Sequence, residues 1–466
     1  MTVDLVVKDV RAVLPEGVRH VDIEVSGGDI AAIKPVGKGG PAKQIVDGGG
    51  REAFPGVIDP HVHFRAYPNM GVPGDGFTEM TECAARGGMT SVIAFITAPK
   101  EVVGREAVEP ATTASGRVPV DFGVHHVLWP REENLAALNE LAAVGVRTFK
   151  MFMAYPERGF MFDGRAALDG MGRVAAVGGL LLVHCEEGNA IRWADDALRS
   201  SKGASAGILD YYAARPENLE ATAVELVGLW GHMVGCPLYL VHISTAGGSD
   251  AGRRLIASGT AVTLETCPQY LVTDSSRLEQ LGALAKFAPV LRPPHHSQAL
   301  WEAIGAGAIT VIGSDHAGHK GSEKLRLADE RGILDVPYGV PGVETLFPLM
   351  YTAGVVSGRL RHEQLAEITS TNAAKRFGWY PKKGVIREGA SADLVLIDQT
   401  TERPVEAKSM QSLAGFSLYE GMRLRGWPST TILRGEITFD GKHLASARGT
   451  FQATHPAGRL AEMIQA

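Results

Sequence analysis

One pattern restricts this chain more than any other, and it runs from residue 54 to residue 380. Eight short apolar runs recur there: "GVIDPHVHF" (56–64), "TSVIAFI" (90–96), "VDFGVHHVL" (120–128), "VRTFKMFM" (146–153), "LLLVHCE" (180–186), "LYLVHIS" (238–244), "AVTLETC" (261–267) and "ITVIGSDH" (309–316). Stretches rich in Ala, Leu and Glu separate them. Strand-like runs alternating with helical stretches predict βα units and a parallel sheet. Eight such units predict a (β/α)8 TIM-like barrel, in which chemistry gathers at the C-terminal ends of the strands. The flanks read differently. "DLVVKDVRAVL", "HVDIEVSGGDIAAI" and "KQIVDGGG" precede the barrel, and "ADLVLID" and "STTILRGEITFDGKHL" follow it. These are short strands punctuated by glycine, and the "GK" turn with its flanking alternation suggests hairpins. The expectation is an α/β chain with a barrel over 54–380 and a small β-sandwich domain built from both termini, 1–53 and 381–466.

Composition removes several classes of function. Hydrophobic residues make up 45% of the chain and charged residues 21%, the balance of a soluble globular protein. A net charge of −6 gives no footprint for nucleic acid or an anionic membrane. No apolar run reaches the roughly 18 residues that a spanning helix needs. The opening "MTVDLVVKDVRAVLPEG" lacks a basic-then-apolar signal pattern, so a cytoplasmic protein is expected. The four cysteines, Cys83, Cys185, Cys236 and Cys267, are too far apart for a C-x-x-C motif and read as buried thiols in a reducing compartment.

The chemistry lies in what ends the runs. His61 and His63 stand two residues apart, so on a strand both imidazoles project from one face. Packed in a core, they would leave ring nitrogens without partners, and a metal ion supplies one. The fourth run holds Lys150, the fifth His184, the sixth His242, and the eighth Asp315 followed by His316. Any one of these alone is explained by a hydrogen-bonded core histidine or a snorkelling lysine. Together they place ligand-type side chains where a barrel assembles its site. His125 and His126, in the third run, read as packed core histidines. His295 and His296, in "RPPHHS", read as a polar loop, and His319 as a neighbour of the site.

At this point the chain resembles a family. "GVIDPHVHFR", "FKMFMAY", "LLVHCEE", "YLVHIST", "ETCPQYL" and "GSDHAGH" resemble the motifs of the cyclic amidohydrolases, the branch of the amidohydrolase superfamily that includes hydantoinase, dihydropyrimidinase, allantoinase and dihydroorotase. The likeness extends to the "GVIREGASADLVLID" tail. It implies a metal-dependent hydrolase with two divalent metals, usually zinc, with manganese as an alternative. His61, His63 and Asp315 would hold the buried metal, and His184 and His242 the outer one. Lys150, carboxylated on its amine, would bridge both. A homo-oligomer, dimer or tetramer, acting on a small cyclic amide is the implied assembly and partner.

The implied chemistry is physically coherent. A cationic lysine repels a metal, whereas a carbamate formed from carbon dioxide and the neutral amine is an anionic bridge. Two metals can activate a shared water, and Asp315 can carry its proton to the leaving ring nitrogen. For the ring itself the signals divide. Tyr155, in "FKMFMAY", resembles the hydantoinase and dihydropyrimidinase tyrosine that hydrogen-bonds the developing oxyanion. Arg65 resembles the dihydroorotase residue that grips a substrate carboxylate, and "PYGVPGVETLFPLMYT" (337–352) also looks dihydroorotase-like. Ala288 and Tyr338 stand where these families carry polar substrate contacts. The reading favoured is hydrolysis of a cyclic amide, imide or ureide C–N bond of the hydantoinase, dihydropyrimidinase or allantoinase kind. Dihydroorotase is the rival enzyme. A non-catalytic scaffold on the same fold is the rival of another class, and the six intact ligand positions argue against it.

Overall fold

The computed structural model describes residues 2–67, 74–445 and 448–456. The eight apolar runs are eight parallel strands: β1 (Val57–His63), β2 (Met89–Ile96), β3 (Asp121–Val127), β4 (Thr148–Phe152), β5 (Leu180–His184), β6 (Leu238–Leu240), β7 (Val262–Thr266) and β8 (Ile309–Ile312). Each pairs with its sequence neighbour, from β1 to β8 without a crossing. All eight residues of β2 are buried, as are all five of β5 and of β7. Burial on both faces explains why these strands read as continuous apolar runs rather than alternating ones.

The seam between β1 and β8 is held by specific contacts just beyond β8. The Asp59 carboxylate accepts from the backbone N–H groups of His61 (3.0 Å) and Ser314 (3.1 Å). The His63 N–H donates to the His316 carbonyl at 2.7 Å. This seam matters because both of its edges carry candidate ligands. Inside the barrel, Ile58, Ile93, Phe95, Leu180, Leu182, Tyr239 and Val311 belong to one packed cluster, so the lumen is a core and not a pore.

The flanking strands form a mixed eight-stranded sheet drawn from both ends of the chain, as expected. Leu394–Asp398 pairs with Glu52–Pro55 and with Trp427–Leu433. Leu5, Val7, Ile23, Val25, Leu394, Leu396 and Ile432 share a separate core on this sheet. The hairpin from Trp427–Leu433 to Glu436–Phe439 turns at Arg434 and Gly435, both at positive φ, the signature of a primed two-residue turn. The "GK" turn makes a second, smaller return between Phe439 and Leu444. Among the described residues no helix is long and apolar enough to cross a membrane. The four cysteines are free and buried.

Candidate metal centre

The first cluster forms at the seam. His61 and His63 do project from one face of β1, and both Nε2 atoms reach the same oxygen, Asp315 Oδ1, at 3.1 and 3.2 Å. Ligand atoms of these three residues lie within 4.8 Å of one another. His61 Nε2 is buried and finds no hydrogen bond of acceptable geometry. A buried ring nitrogen without a bond is costly, so the arrangement fits a cation between the three side chains. The His63 side chain is 32% exposed and that of Asp315 13%, so the cluster opens to solvent on the His63 side.

The second cluster stands beside it. His184 Nδ1 and His242 Nε2 face each other at 3.0 Å, and the rings of His61 and His242 lie 5.5 Å apart. Burial lowers both the His184 and the His242 imidazoles, His242 well below the ordinary value. Neutral imidazoles are the ligating form. Lys150 lies between the clusters, and its charge acts on His63, His184 and His242. It is only 1% exposed, with its Nζ 5.1 Å from the rings of both Phe95 and Phe152. Burial pushes its amine down to about 8, against the pull of Asp315 and Glu265.

Three of these positions also carry an unusual backbone. Among the described residues five non-glycine residues have positive φ, and three of them are Tyr155 (64°), His242 (43°) and Asp315 (51°). Such conformations cost on the order of 1–3 kcal/mol each and persist where the surroundings enforce them. The enforcement after β6 is visible. Buried Glu220 accepts the N–H groups of Ser244 and Thr245 and both of their hydroxyls, clamping the turn that begins at His242.

A family model described as "Amidohydrolase family" matches residues 53–438. The chain belongs to that family. This amidohydrolase is 34% identical over 452 residues to the D-hydantoinase of Rhizobium radiobacter, covering 94% of this chain and 95% of the relative. It is 33% identical over 467 residues to the allantoinase of Rubrobacter xylanophilus, covering 98% and 97%. The crystal structure of dihydropyrimidinase from Brevibacillus agri superposes with a TM-score of 0.91 at 27% identity, over 97% of this chain and 99% of that one. The expected resemblance, the barrel and a hydrolase of cyclic amide bonds are borne out. The family is generally dependent on two metals, and in this amidohydrolase His61, His63 and Asp315 form a candidate metal-binding group.

Behind the candidate ligands stand carboxylates that the sequence reading did not single out. Glu265 on β7 lies 2.6 Å from His61 Nδ1 and also accepts from Tyr239 Oη and the His242 N–H. It fixes the His61 tautomer so that Nε2 faces inward. Glu186 Oε2 lies 2.8 Å from His184 Nε2, which leaves Nδ1 as the inward nitrogen. The available signal was the same one that marked the histidines: Glu265 interrupts the apolar run "AVTLETC". Burial alone would raise Asp315, but His61 and His63 hold it well below the usual carboxylate range. Burial would lower His61, yet Glu265 and Asp315 carry it up to about 9.

The remaining candidates are placed as follows. Tyr155 packs 5.1 Å from the His184 ring and 5.1 Å from the Tyr338 ring. Ala288 is buried in the segment that runs beside Tyr338, where the Gly339 N–H donates to the Lys286 carbonyl. Arg65 is exposed, and no hydrogen bond or ion pair ties its guanidinium to the described residues. His125 is a packed core histidine, between the Thr148 hydroxyl (2.7 Å) and the Pro60 carbonyl (3.0 Å). His295 and His296 lie in the first turn of a helix, Pro294–Gly305, and not in a loop. His296 is buried because its ring joins the Ala246 N–H to the Glu217 carboxylate. His316 turns away from the cluster to Asp75, 3.1 Å from its Nε2.

Proposed function

We propose that this amidohydrolase opens a cyclic amide, imide or ureide by hydrolysing one ring C–N bond, with six residues holding two divalent metals, zinc or manganese. His61, His63 and Asp315 would hold one and His184 and His242 the other, with Lys150, as its carbamate, the sixth residue. The observation that carries this reading is the convergence of His61 Nε2 and His63 Nε2 on Asp315 Oδ1, beside the facing nitrogens of His184 and His242. The lowered Lys150 amine supports the carbamate, because only the neutral amine attacks carbon dioxide, losing a proton as the N–C bond forms.

When bound, the metals activate water and polarise the ring carbonyl. The protein supplies the rest. The Asp315 carboxylate takes the proton from the attacking water and delivers it to the ring nitrogen, which leaves poorly as an anion. The Tyr155 hydroxyl donates to the carbonyl oxygen as negative charge develops there. Tyr338 and Ala288 flank the ring. The hydantoinase and allantoinase relatives support a ureide-type ring, and the protein works as a homo-oligomer. Elemental analysis is expected to give about two metals per chain. A panel of hydantoin, dihydrouracil, allantoin and dihydroorotate is expected to reveal turnover of a neutral ring. Full activity after exhaustive chelation would sink the reading.

A further inference from the structure

Beyond Tyr155 the chain places a cation that the chemistry above does not use. We infer that Arg158 selects rings bearing an acidic exocyclic substituent, so that the preferred substrate is a cyclic amide with a carboxylate on a short side chain. The inference rests on the ring-opening reading, because the ring must lie at the metal centre for its substituent to reach Arg158.

The local fold fixes where Arg158 stands. Tyr155 and Gly159 both adopt left-handed backbone, and Pro156–Arg158 forms one helical turn between them. The Arg158 N–H returns to the Tyr155 carbonyl at 3.1 Å. The guanidinium therefore lies over the tyrosine pair, 5.3 Å from the centre of the Tyr338 ring and 6.0 Å from that of Tyr155. Tyr155 in turn borders His184. A substituent leaving the ring away from the metals and past these tyrosines meets Arg158.

Arg158 is exposed, and no ion pair or side-chain hydrogen bond engages it among the described residues. A guanidinium resting on aromatic faces keeps its N–H fork free for a carboxylate. The charges around Tyr338 reinforce this. Arg215 is neutralised by Asp195 through bonds of 2.9 and 2.8 Å. Lys286 is wholly buried, 4.3 Å from the Tyr338 ring, and among the described residues its Nζ donates to the carbonyls of Leu334 and Val336. Lys324 donates to three carbonyls, including that of Lys286. Glu157 is the remaining carboxylate acting on Tyr338. Burial lowers the Lys286 amine well below its ordinary value and that of Lys324 to about 7, so the exposed Arg158 is a cation left available on this side of the tyrosines. Deeper in, Glu186, Glu265 and Asp315 are all engaged by histidines. With the ring at the metal centre, an acid on an outward substituent would pair with the free guanidinium fork of Arg158.

The test compares two hydantoins on the full, metal-loaded chain. One bears a carboxyethyl group on its saturated ring carbon. The other bears the isosteric carboxamide, which keeps the shape and loses the charge. The wild type should prefer the acid by about three- to five-fold in kcat/KM and in Kd by calorimetry, the size expected of an exposed charge-assisted pair. Arg158→Gln should bring that ratio near one, Arg158→Glu should invert it, and Arg158→Lys should keep part of it. Raising the ionic strength should shrink the wild-type preference. A wild-type ratio at or below one, or a ratio unmoved in Arg158→Gln, overturns the inference and leaves Arg158 as a brace for the tyrosines. If the acid binds with an Arg158-dependent preference but neither ring opens, the ring-opening reading falls and the selectivity stands. If neither compound binds, both fall.

Discussion

The two ends of the barrel bury charge in opposite ways. At the N-terminal end, Asp121 opens β3 and meets Lys383 at 2.6 Å and Arg434, while Lys383 also meets Asp393 at 2.6 Å. Each of these four charges has an opposite partner, and Lys383, Asp393 and Arg434 come from the segments beyond the barrel. At the C-terminal end the groups are left short. His61 Nε2 has no hydrogen bond, His184 and His242 face each other nitrogen to nitrogen, and the Lys150 amine faces two phenyl rings. Strained backbone at Tyr155, His242 and Asp315 lies at that end too. The lower network is complete within the chain and acts as a fastening. The upper cluster instead turns ring nitrogens and an amine towards one another.

Substitutions at the two ends should separate accordingly. At the upper end, Asp315→Asn should retain about two metals and lose on the order of 10²–10⁴-fold in kcat, because asparagine keeps an oxygen but carries no proton. Retained metal with a retained rate would assign the proton to another group. Lys150→Ala should lose most activity and regain part of it with acetate or propionate, whereas Lys150→Arg should not recover.

At the lower end, Lys383→Met removes the cation of Asp393 and leaves Asp121 with Arg434 alone. The expected cost is about 3–5 kcal/mol in the denaturant midpoint, with metal per folded chain unchanged. Loss of metal without loss of stability would erase the contrast between the ends.

Smaller effects sharpen the same comparison. Glu265→Gln should weaken metal affinity by about 10- to 100-fold by loosening His61, measured by competition with a chelator. The pH profile of stability should report the lower network. Burial raises Asp121, but Lys383 and Arg434 outweigh it and hold it below its ordinary 3.8. Its contribution is present above pH 3.8 and lost as pH falls through the lowered value. Burial lowers Lys383, but Asp393 and Asp121 outweigh it and raise it above 10.5, so its share is present below that pH and lost above it. Lys383→Met should flatten both limbs of the unfolding profile. The smallest effect is expected at Arg65. An inward-pointing guanidinium would contribute about 1.5–3 kcal/mol to a substrate carboxylate. The exposed Arg65 should instead leave every ring within about two-fold after Arg65→Met, on the scale of exposed charges. A ten-fold loss confined to dihydroorotate would restore the dihydroorotase reading.

Much of this was legible in the residues. Each barrel strand coincides with a run whose continuous apolarity follows from burial on two faces. His61 and His63 could be paired from the two-residue period of a strand alone. Glu265 and Glu186 were harder to read, because a single acid in an apolar run carries no periodic signal and its partner lies far away in sequence. His61 and Glu265 are separated by 204 residues. His296 was misread because a "PP" start looks like a loop and also suits the first turn of a helix.

The sequence by itself determined which residue types end the strands, and therefore that candidate ligands would collect at one rim of a barrel. It also determined the family, through short motifs whose spacing is local. Only the tertiary structure decided which nitrogen of each histidine faces inward, since that depends on Glu265 and Glu186 arriving from other strands. Only the tertiary structure placed Arg65 in solvent and set Arg158 over the tyrosine pair. Orientation and charge balance are sums over neighbours that the chain brings together from distant positions, and no local pattern encodes such a sum.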